Sequence, residues 1–276
     1  MTRLVELLRT DRPLVMGILN VTPDSFSDGG QFLRPEIAVN RALEMVRQGA
    51  DIIDIGGEST RPGAQSVDSA LELERVLPVI QALRKESDVA ISLDTSKAAV
   101  MSSALPHDID LINDVKALQA PGALQVAADS GLPVCLMHMK GEPRTMQQNP
   151  HYADLIAELT DFFRERLDAC QRAGLTRDRI ILDVGFGFGK TPAHNLQLIN
   201  RLEQFLVLQC PLLVGLSRKS TIGKITEDRL TGSVAGALAA IAHGARILRV
   251  HDVAETVAAI RVWRSIQEER LIGLES

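Results

Sequence analysis

Aromatic side chains are scarce: one tryptophan, one tyrosine and seven phenylalanines, 3% of 276 residues. Basic blocks are absent, and the net charge of −5 comes from well-mixed signs. Without stacking platforms or a positive stripe, the chain is not expected to bind nucleic acid. Cysteine is limited to Cys135, Cys170 and Cys210, an odd number, widely spaced and each in an apolar setting. Buried reduced thiols fit this better than disulfides or a metal cluster. No apolar run reaches the roughly 20 residues that span a bilayer, so no membrane partner is expected. The stretch Met1-Thr-Arg-Leu-Val-Glu-Leu-Leu-Arg-Thr-Asp11 is charged and amphipathic, unlike a signal peptide. No Pro/Gly/Ser-rich linker divides the chain, so one domain over residues 1–276 and a cytoplasmic location are expected.

What is abundant is short apolar runs. They are Leu14–Leu19, Ile52–Ile55, Val89–Leu93, Ile109–Ile112, Val134–Met137, Ile180–Leu182, Leu212–Leu216 and Ala245–Val250. Each is nearly continuous in hydrophobicity, as a strand buried on both faces should be. Helical three- and four-residue steps lie between them. One such series is Leu155, Ile156, Leu159, Phe162, Phe163, Leu167, Cys170, and another is Val253, Val257, Ile260, Trp263, Ile266. Eight strand–helix units in a chain of this length predict a (β/α)₈ barrel. A doubly wound sheet accounts less well for eight even repeats. The residues before Pro13 are expected to close the barrel floor.

Every run ends in polar or ionisable groups: Asn20, Gly56-Gly-Glu-Ser-Thr-Arg61, Asp94, Asn113, His138, Asp183, Ser217-Arg-Lys-Ser220 and Arg249-Val-His251. In a closed barrel these ends meet at one mouth, where such enzymes place their sites. Asp94, Asn113 and Asp183 are short groups on rigid strand ends. Buried carboxylates need partners, and Lys219 is a candidate. Arg61, Arg249 and His251 read as a separate cationic group suited to phosphate. Asn20 offers an oxygen that could ligate Mg²⁺ carried by a phosphate. Two long βα loops, 20–34 with Phe26 and 57–66 with Arg61, read as lids or as ordinary mobile loops.

The most telling stretch is Ile180-Ile-Leu-Asp-Val-Gly-Phe-Gly-Phe-Gly-Lys-Thr-Pro192. An apolar strand delivers Asp183 into three alternating glycines, and Thr191-Pro192 then read as N-cap and first helical residue. The glycines admit backbone close to a ligand, and the phenylalanines offer flat faces. A planar, hydrogen-bonding ligand would suit it; a ring with amidine-like N–H donors would pair with a carboxylate. A phosphate loop is excluded, because its pattern needs Gly where Val184 stands. A purely structural strand-to-helix turn is the bland alternative.

At these residues the sequence resembles the dihydropteroate synthases of bacterial folate synthesis, along its whole length. The longest motifs are Met16-Gly-Ile-Leu-Asn-Val-Thr-Pro-Asp-Ser-Phe-Ser-Asp-Gly-Gly30 and Asp54-Ile-Gly-Gly-Glu-Ser-Thr-Arg-Pro-Gly63. Shorter ones are Ser92-Leu-Asp-Thr-Ser96, Ile112-Asn-Asp114, Leu136-Met-His-Met139, Gly185-Phe-Gly-Phe-Gly-Lys190, Gly215-Leu-Ser-Arg-Lys-Ser220 and Arg249-Val-His-Asp252. One departure is Val184, where that family usually carries Pro. The resemblance implies displacement of diphosphate from (7,8-dihydropterin-6-yl)methyl diphosphate by 4-aminobenzoate, and sensitivity to sulfonamides. It assigns Asp94, Asn113, Met137, Asp183, Phe188 and Lys219 to the pterin. Asn20, with Mg²⁺, joins Arg61, Arg249 and His251 at the diphosphate. Phe26, Thr60, Arg61, Pro62 and Ser220 shape the aminobenzoate side. Asp94, Lys219, Arg249 and His251 are the expected catalytic groups.

Three rivals compete with this assignment. A methyltransferase on a pterin-binding barrel would share the acids but not the diphosphate group. An aldolase using Lys219 as a Schiff base would need that lysine in an apolar pocket. An inert pterin-binding protein would not need the complete set of loop residues. The stretch Thr231–Ala245 is small and apolar almost all round, unlike an outer barrel helix with a charged face, and is expected to form a homodimer contact.

Overall fold

The computed structural model describes residues 2–22, 35–59, 66–142 and 145–272. Eight parallel strands close in sequence order into a barrel. They are β1 (Leu14–Asn20), β2 (Ile52–Gly56), β3 (Ala90–Asp94), β4 (Leu111–Asp114), β5 (Val134–Met137), β6 (Ile180–Asp183), β7 (Leu212–Val214) and β8 (Ala245–Val250). The ring closes where Leu14–Gly17 of β1 pairs with Ile247–Val250 of β8. Every predicted run is a strand, with ends shifted by two residues or fewer. The run at 109–112 starts later because Asp110 is held outside the strand. Its carboxylate accepts from Ile91 N at 3.0 Å and pairs with Arg84 at 2.9 Å.

The helices among the described residues are α1 (Arg3–Arg9), α2 (Pro35–Arg47), α3 (Ser69–Glu86), α4 (Ala98–Ala104), α5 (Ala123–Ser130), α6 (Leu155–Arg172), α7 (Pro192–Asn200), α8 (Ser220–Ile225), α9 (Arg229–Ala242) and α10 (Val253–Gln267). Side-chain caps fix several of their starts. The Asp154 carboxylate accepts from Ile156 N and Ala157 N, and Asp228 does the same for Leu230 and Thr231. Thr191 caps α7 as expected; its partner in the reciprocal capping box is His194.

Alternation along each strand divides the core in two. Outward residues such as Ile53, Ile55, Leu93, Ile112 and Leu182 pack with the helices. Inward residues form a separate apolar layer of Leu14, Met16, Ile52, Ala90, Leu111, Cys135, Ile181, Leu213 and Ile247, with Leu4 of α1 added from below. The segment before Pro13 thus closes the floor as expected, and it does so as a helix. Burying Leu4 contributes roughly 1.5–3 kcal/mol. The three cysteines are buried and unpaired, as their settings predicted.

Candidate active site

Two residues beyond the inward apolar layer, the same side of β2, β3, β4, β6 and β8 turns polar. Ile52 is followed by Asp54, Ala90 by Ser92 and then Asp94, Leu111 by Asn113, Ile181 by Asp183, and Ile247 by Arg249. The period of two makes this inevitable: residues facing the barrel axis share one side of the strand. The apolar layer seals the floor, and the next layer lines the mouth.

Hydrogen bonds link these groups. The Arg249 guanidinium donates through Nε to Asp54 Oδ2 at 2.6 Å and through Nη2 to Asp94 Oδ2 at 2.8 Å. Ser92 Oγ donates to Asp54 Oδ1 at 2.6 Å, and the Asn113 amide lies 3.3 Å from both Asp54 oxygens. Asp54 is fully buried. Two carboxylates thus share one guanidinium. Burial and the neighbouring Asp54 push Asp94 up to about 7, although Arg249 opposes this.

Arg249, expected in a cationic group with Arg61 and His251, is held between two carboxylates, and Arg61 lies outside the described residues. Arg249 is tied to Asp54 and Asp94, because β8 neighbours β1 and its long side chain reaches across to β2 and β3. His251 follows just past β8. Its backbone N donates to Ser217 Oγ at 3.2 Å, and its ring Nδ1 lies 3.1 Å from the same oxygen. Nearby, Arg218 Nε donates to Asp252 at 2.9 Å, which ties the β7 and β8 loops together.

At β6 the Asp183 carboxylate accepts from Gly185 N at 2.8 Å. Its acidity is weakened by burial and partly restored by Lys219. Lys219, the candidate partner for the buried carboxylates, makes no direct ion pair with Asp94 or Asp183 among the described residues. The Lys219 ammonium donates instead to Phe186 O at 2.7 Å and lies 4.5 Å from the centre of the Phe188 ring. Burial lowers its pKa to about 8, with Asp183 opposing.

Lys190 carries more of the structure than its sequence position indicated. It is buried, and its ammonium reaches Gly185 O at 2.9 Å, Phe188 O at 3.0 Å, His138 O at 3.3 Å and His138 Nδ1 at 3.0 Å. Burial, with Lys190 adding to it, lowers His138 to about 2, so the imidazole is neutral and its Nδ1 accepts. Lys190 therefore laces the glycine loop to the end of β5. Tyr152 Oη donates to Gly189 O at 2.9 Å and fastens the far side. Val184 is buried in the outer core and takes no part in the mouth.

The remaining expected residues are placed as follows. Met137 is buried at the end of β5, Asn20 is half-buried at the end of β1, and Ser220 is exposed at the start of α8. Phe26, Thr60, Arg61, Pro62 and most of both long loops lie outside the described residues. Sequence reasoning passed over Asp54 and Ser92 as site groups, because neither ends a run. The signal was the alternation itself, which puts a carboxylate two residues after Ile52 on the axial side.

The barrel mouth thus gathers buried Asp54, Asp94 and Asp183 with the Asn113 amide and the cations Lys219 and Arg249. Residues 16–251 match the model of the pterin binding enzymes. The dihydropteroate synthase of Haemophilus influenzae is 50% identical over 257 residues, 92% of this chain and 94% of that one. That of Escherichia coli is 51% identical over 259 residues, 92% of each chain. The chain belongs to the dihydropteroate synthase family. Among solved structures, the Yersinia pestis dihydropteroate synthase with a sulfonamide drug complex is 50% identical, with a TM-score of 0.89 over 93% of this chain and 95% of that one. The Xanthomonas albilineans dihydropteroate synthase with 7,8-dihydropteroate is 46% identical, with a TM-score of 0.85 over 93% of this chain and 94% of that one. The described residues of the family motifs quoted above lie along the strands and at the strand ends of one barrel.

Proposed function

We propose that this chain is a transferase of folate biosynthesis that joins 4-aminobenzoate to (7,8-dihydropterin-6-yl)methyl diphosphate, releasing diphosphate and 7,8-dihydropteroate. The observation that carries the reading is Arg249 bridging Asp54 and Asp94 in the mouth that also holds Asp183 and Lys219. Ring recognition and anion neutralisation then fall within one substrate's length. In support, a Xanthomonas albilineans relative, 50% identical, has been solved with 4-aminobenzoic acid.

The chemistry follows from the groups. Asp183 faces the donor-rich edge of the pterin, and Asn113, Met137, Phe188 and Lys219 complete its wall. An aromatic amine is neutral at pH 7 and needs no strong base, so the difficult event is C–O cleavage. Arg249 and His251 offset charge on the departing diphosphate. The Asp94 carboxylate stabilises positive charge spread from the methylene into the ring. The displacement is therefore dissociative. By the motif matches, Phe26, Thr60, Arg61, Pro62 and Ser220 take the aminobenzoate side, with Arg61 also reaching the diphosphate. A sulfonamide would compete there.

Magnesium fits one role only. Among the described residues no three His, Cys, Asp or Glu side chains cluster to hold a metal. Asn20 supplies a single amide oxygen, which suits a Mg²⁺ arriving on the diphosphate rather than a resident ion. When bound, that ion would neutralise leaving-group charge.

The proposed assembly is a homodimer. Helix α9 exposes Ala235, Ala239 and Ala242, and α10 beside it exposes Val262 and Ile266. Leu206 and Val207 add exposed apolar surface. Sedimentation at micromolar concentration should give about twice the 30.0 kDa chain mass; a monomer refutes the assembly. No described helix is long and apolar enough to cross a membrane, and the proposed compartment is the cytoplasm.

The deciding assay is aminobenzoate-dependent diphosphate release with Mg²⁺. Asp183→Asn should raise the KM for the pterin substrate about tenfold or more. Arg249→Lys should lower kcat by ~10²-fold, since a point charge replaces a two-pronged donor. Diphosphate release that needs no aminobenzoate, or none at all, would sink the reading.

A further inference from the structure

Asp54 is fully buried in the middle of β2, below the strand ends that meet substrate. It nevertheless touches three groups that line or support the mouth: Ser92 Oγ at 2.6 Å, Arg249 Nε at 2.6 Å and the Asn113 amide at 3.3 Å. Its sequence distance from Arg249 is 195 residues, so only barrel closure unites them. We propose that Asp54 is the positioning residue of the mouth, a single buried carboxylate that sets both the direction of the Arg249 guanidinium and the polarity of the Asn113 amide.

For Asn113 the reason lies in donors and acceptors. An ionised carboxylate only accepts hydrogen bonds, whereas an asparagine has one donor end and one acceptor end. Asp54 takes the NH₂ end at both of its oxygens. The Asn113 carbonyl oxygen is thereby turned away from Asp54 and serves as an acceptor for a ring N–H. Without Asp54 the amide could rotate and present either end. For Arg249 the reason is geometric. Asp94 alone fixes one corner of a planar fork; Asp54 on Nε fixes a second, and the two together hold its orientation. Neither effect needs Asp54 to reach substrate, which its burial forbids.

The positioning role rests on the proposed reaction, so wild-type turnover is assayed first, and pteroate affinity is measured beside it by calorimetry. Absence of turnover counts against the reaction, while the affinity arm still tests the hold on the ring. Asp54→Asn is then compared with the exchange variant Asp54→Asn/Asn113→Asp. The single variant leaves two facing amides with no forced polarity. The exchange restores it: the amide placed at position 54 can donate to the carboxylate placed at position 113, which again offers only acceptors to the ring. It also keeps the buried charge count. Circular dichroism and thermal unfolding confirm that each variant is folded.

Asp54→Asn should raise the KM for the pterin diphosphate, and the Kd for pteroate, by more than about tenfold and also lower kcat. The exchange should bring KM and Kd back to within about tenfold of wild type while kcat stays low, because Arg249 remains misdirected. A purely structural role would move all parameters together and would not be rescued. An Asp54→Asn enzyme with KM, Kd and kcat within about threefold of wild type overturns the proposal, as does an exchange variant whose KM and Kd stay more than about tenfold above wild type. If the single variant does not fold, the exchange variant alone is read against the same limits.

Discussion

The glycine loop after β6 offers a test in which two neighbouring substitutions share backbone strain but differ in what they strike. Gly185 and Gly187 have φ of +66° and +84°, a region that favours glycine. An added Cβ at Gly187 would lie 3.3 Å from Lys219 Cδ, a flexible side chain that can give way. At Gly185 it would lie 1.8 Å from His138 O, which is backbone. Gly187→Ala should therefore cost the left-handed penalty alone, about 1–2 kcal/mol. Gly185→Ala adds displacement of the His138 carbonyl by more than about an ångström, roughly the gap between that contact and ordinary van der Waals spacing. That movement disrupts the bonds from Lys190 Nζ to His138 O at 3.3 Å and from His138 N to Asp183 O at 2.9 Å. At about 1 kcal/mol each, the total reaches roughly 3–4 kcal/mol. For a chain of this size, thermal unfolding should fall by roughly 6–12 °C for Gly185→Ala and about 2–6 °C for Gly187→Ala. Circular dichroism melts and urea midpoints measure the difference, and calorimetry with pteroate measures the ring site. Equal losses for the two variants would refute a glycine loop pressed against the end of β5.

Other consequences follow from the same mouth. Asp94 is pushed up to about 7, so the acid limb of kcat/KM should fall near neutrality, activity rising as the carboxylate ionises. A limb placed at the ordinary carboxylate range, near about 4, would exclude Asp94 as the ionising group. The sign for stability is opposite. A folded pKa above the unfolded one means the folded state holds the proton better, so this contribution is full at low pH and is lost as pH rises through about 7. Asp94→Asn removes that loss, and its melting temperature relative to wild type should climb between about pH 5 and pH 8 while turnover collapses. Lys190→Met leaves the carbonyls of His138, Gly185 and Phe188 without their donor. It should cost about 3 kcal/mol, the lost bonds being offset in part because an ammonium is no longer buried, and it should weaken pteroate binding. Unchanged stability and affinity would show that the loop does not depend on this lysine.

Much of this was legible in the residues. Eight apolar runs read as strands buried on both sides, and their even spacing with helical segments left the barrel as the economical closure. The polar terminators marked the mouth because a strand end is where backbone leaves the core. Thr191-Pro192 announced its helix through cap chemistry that is local. The same logic missed Asp54, since a carboxylate inside a run looks like an interruption until the axial face is counted out by twos.

What the sequence determined by itself is the set of local facts: which segments extend, which coil, and which polar types arrive at one rim. What only the tertiary structure decided is the pairing among those polar groups. Arg249 could have served an anion alone, and Lys219 could have paired directly with Asp183. Barrel closure sets β8 beside β1, within reach of β2 and β3, so the guanidinium settles between Asp54 and Asp94. The glycine turn brings the Phe186 carbonyl to the Lys219 ammonium, which satisfies it there. Those outcomes depend on distances between strands far apart in the chain, and on buried charges taking whichever partner the closed barrel brings within reach.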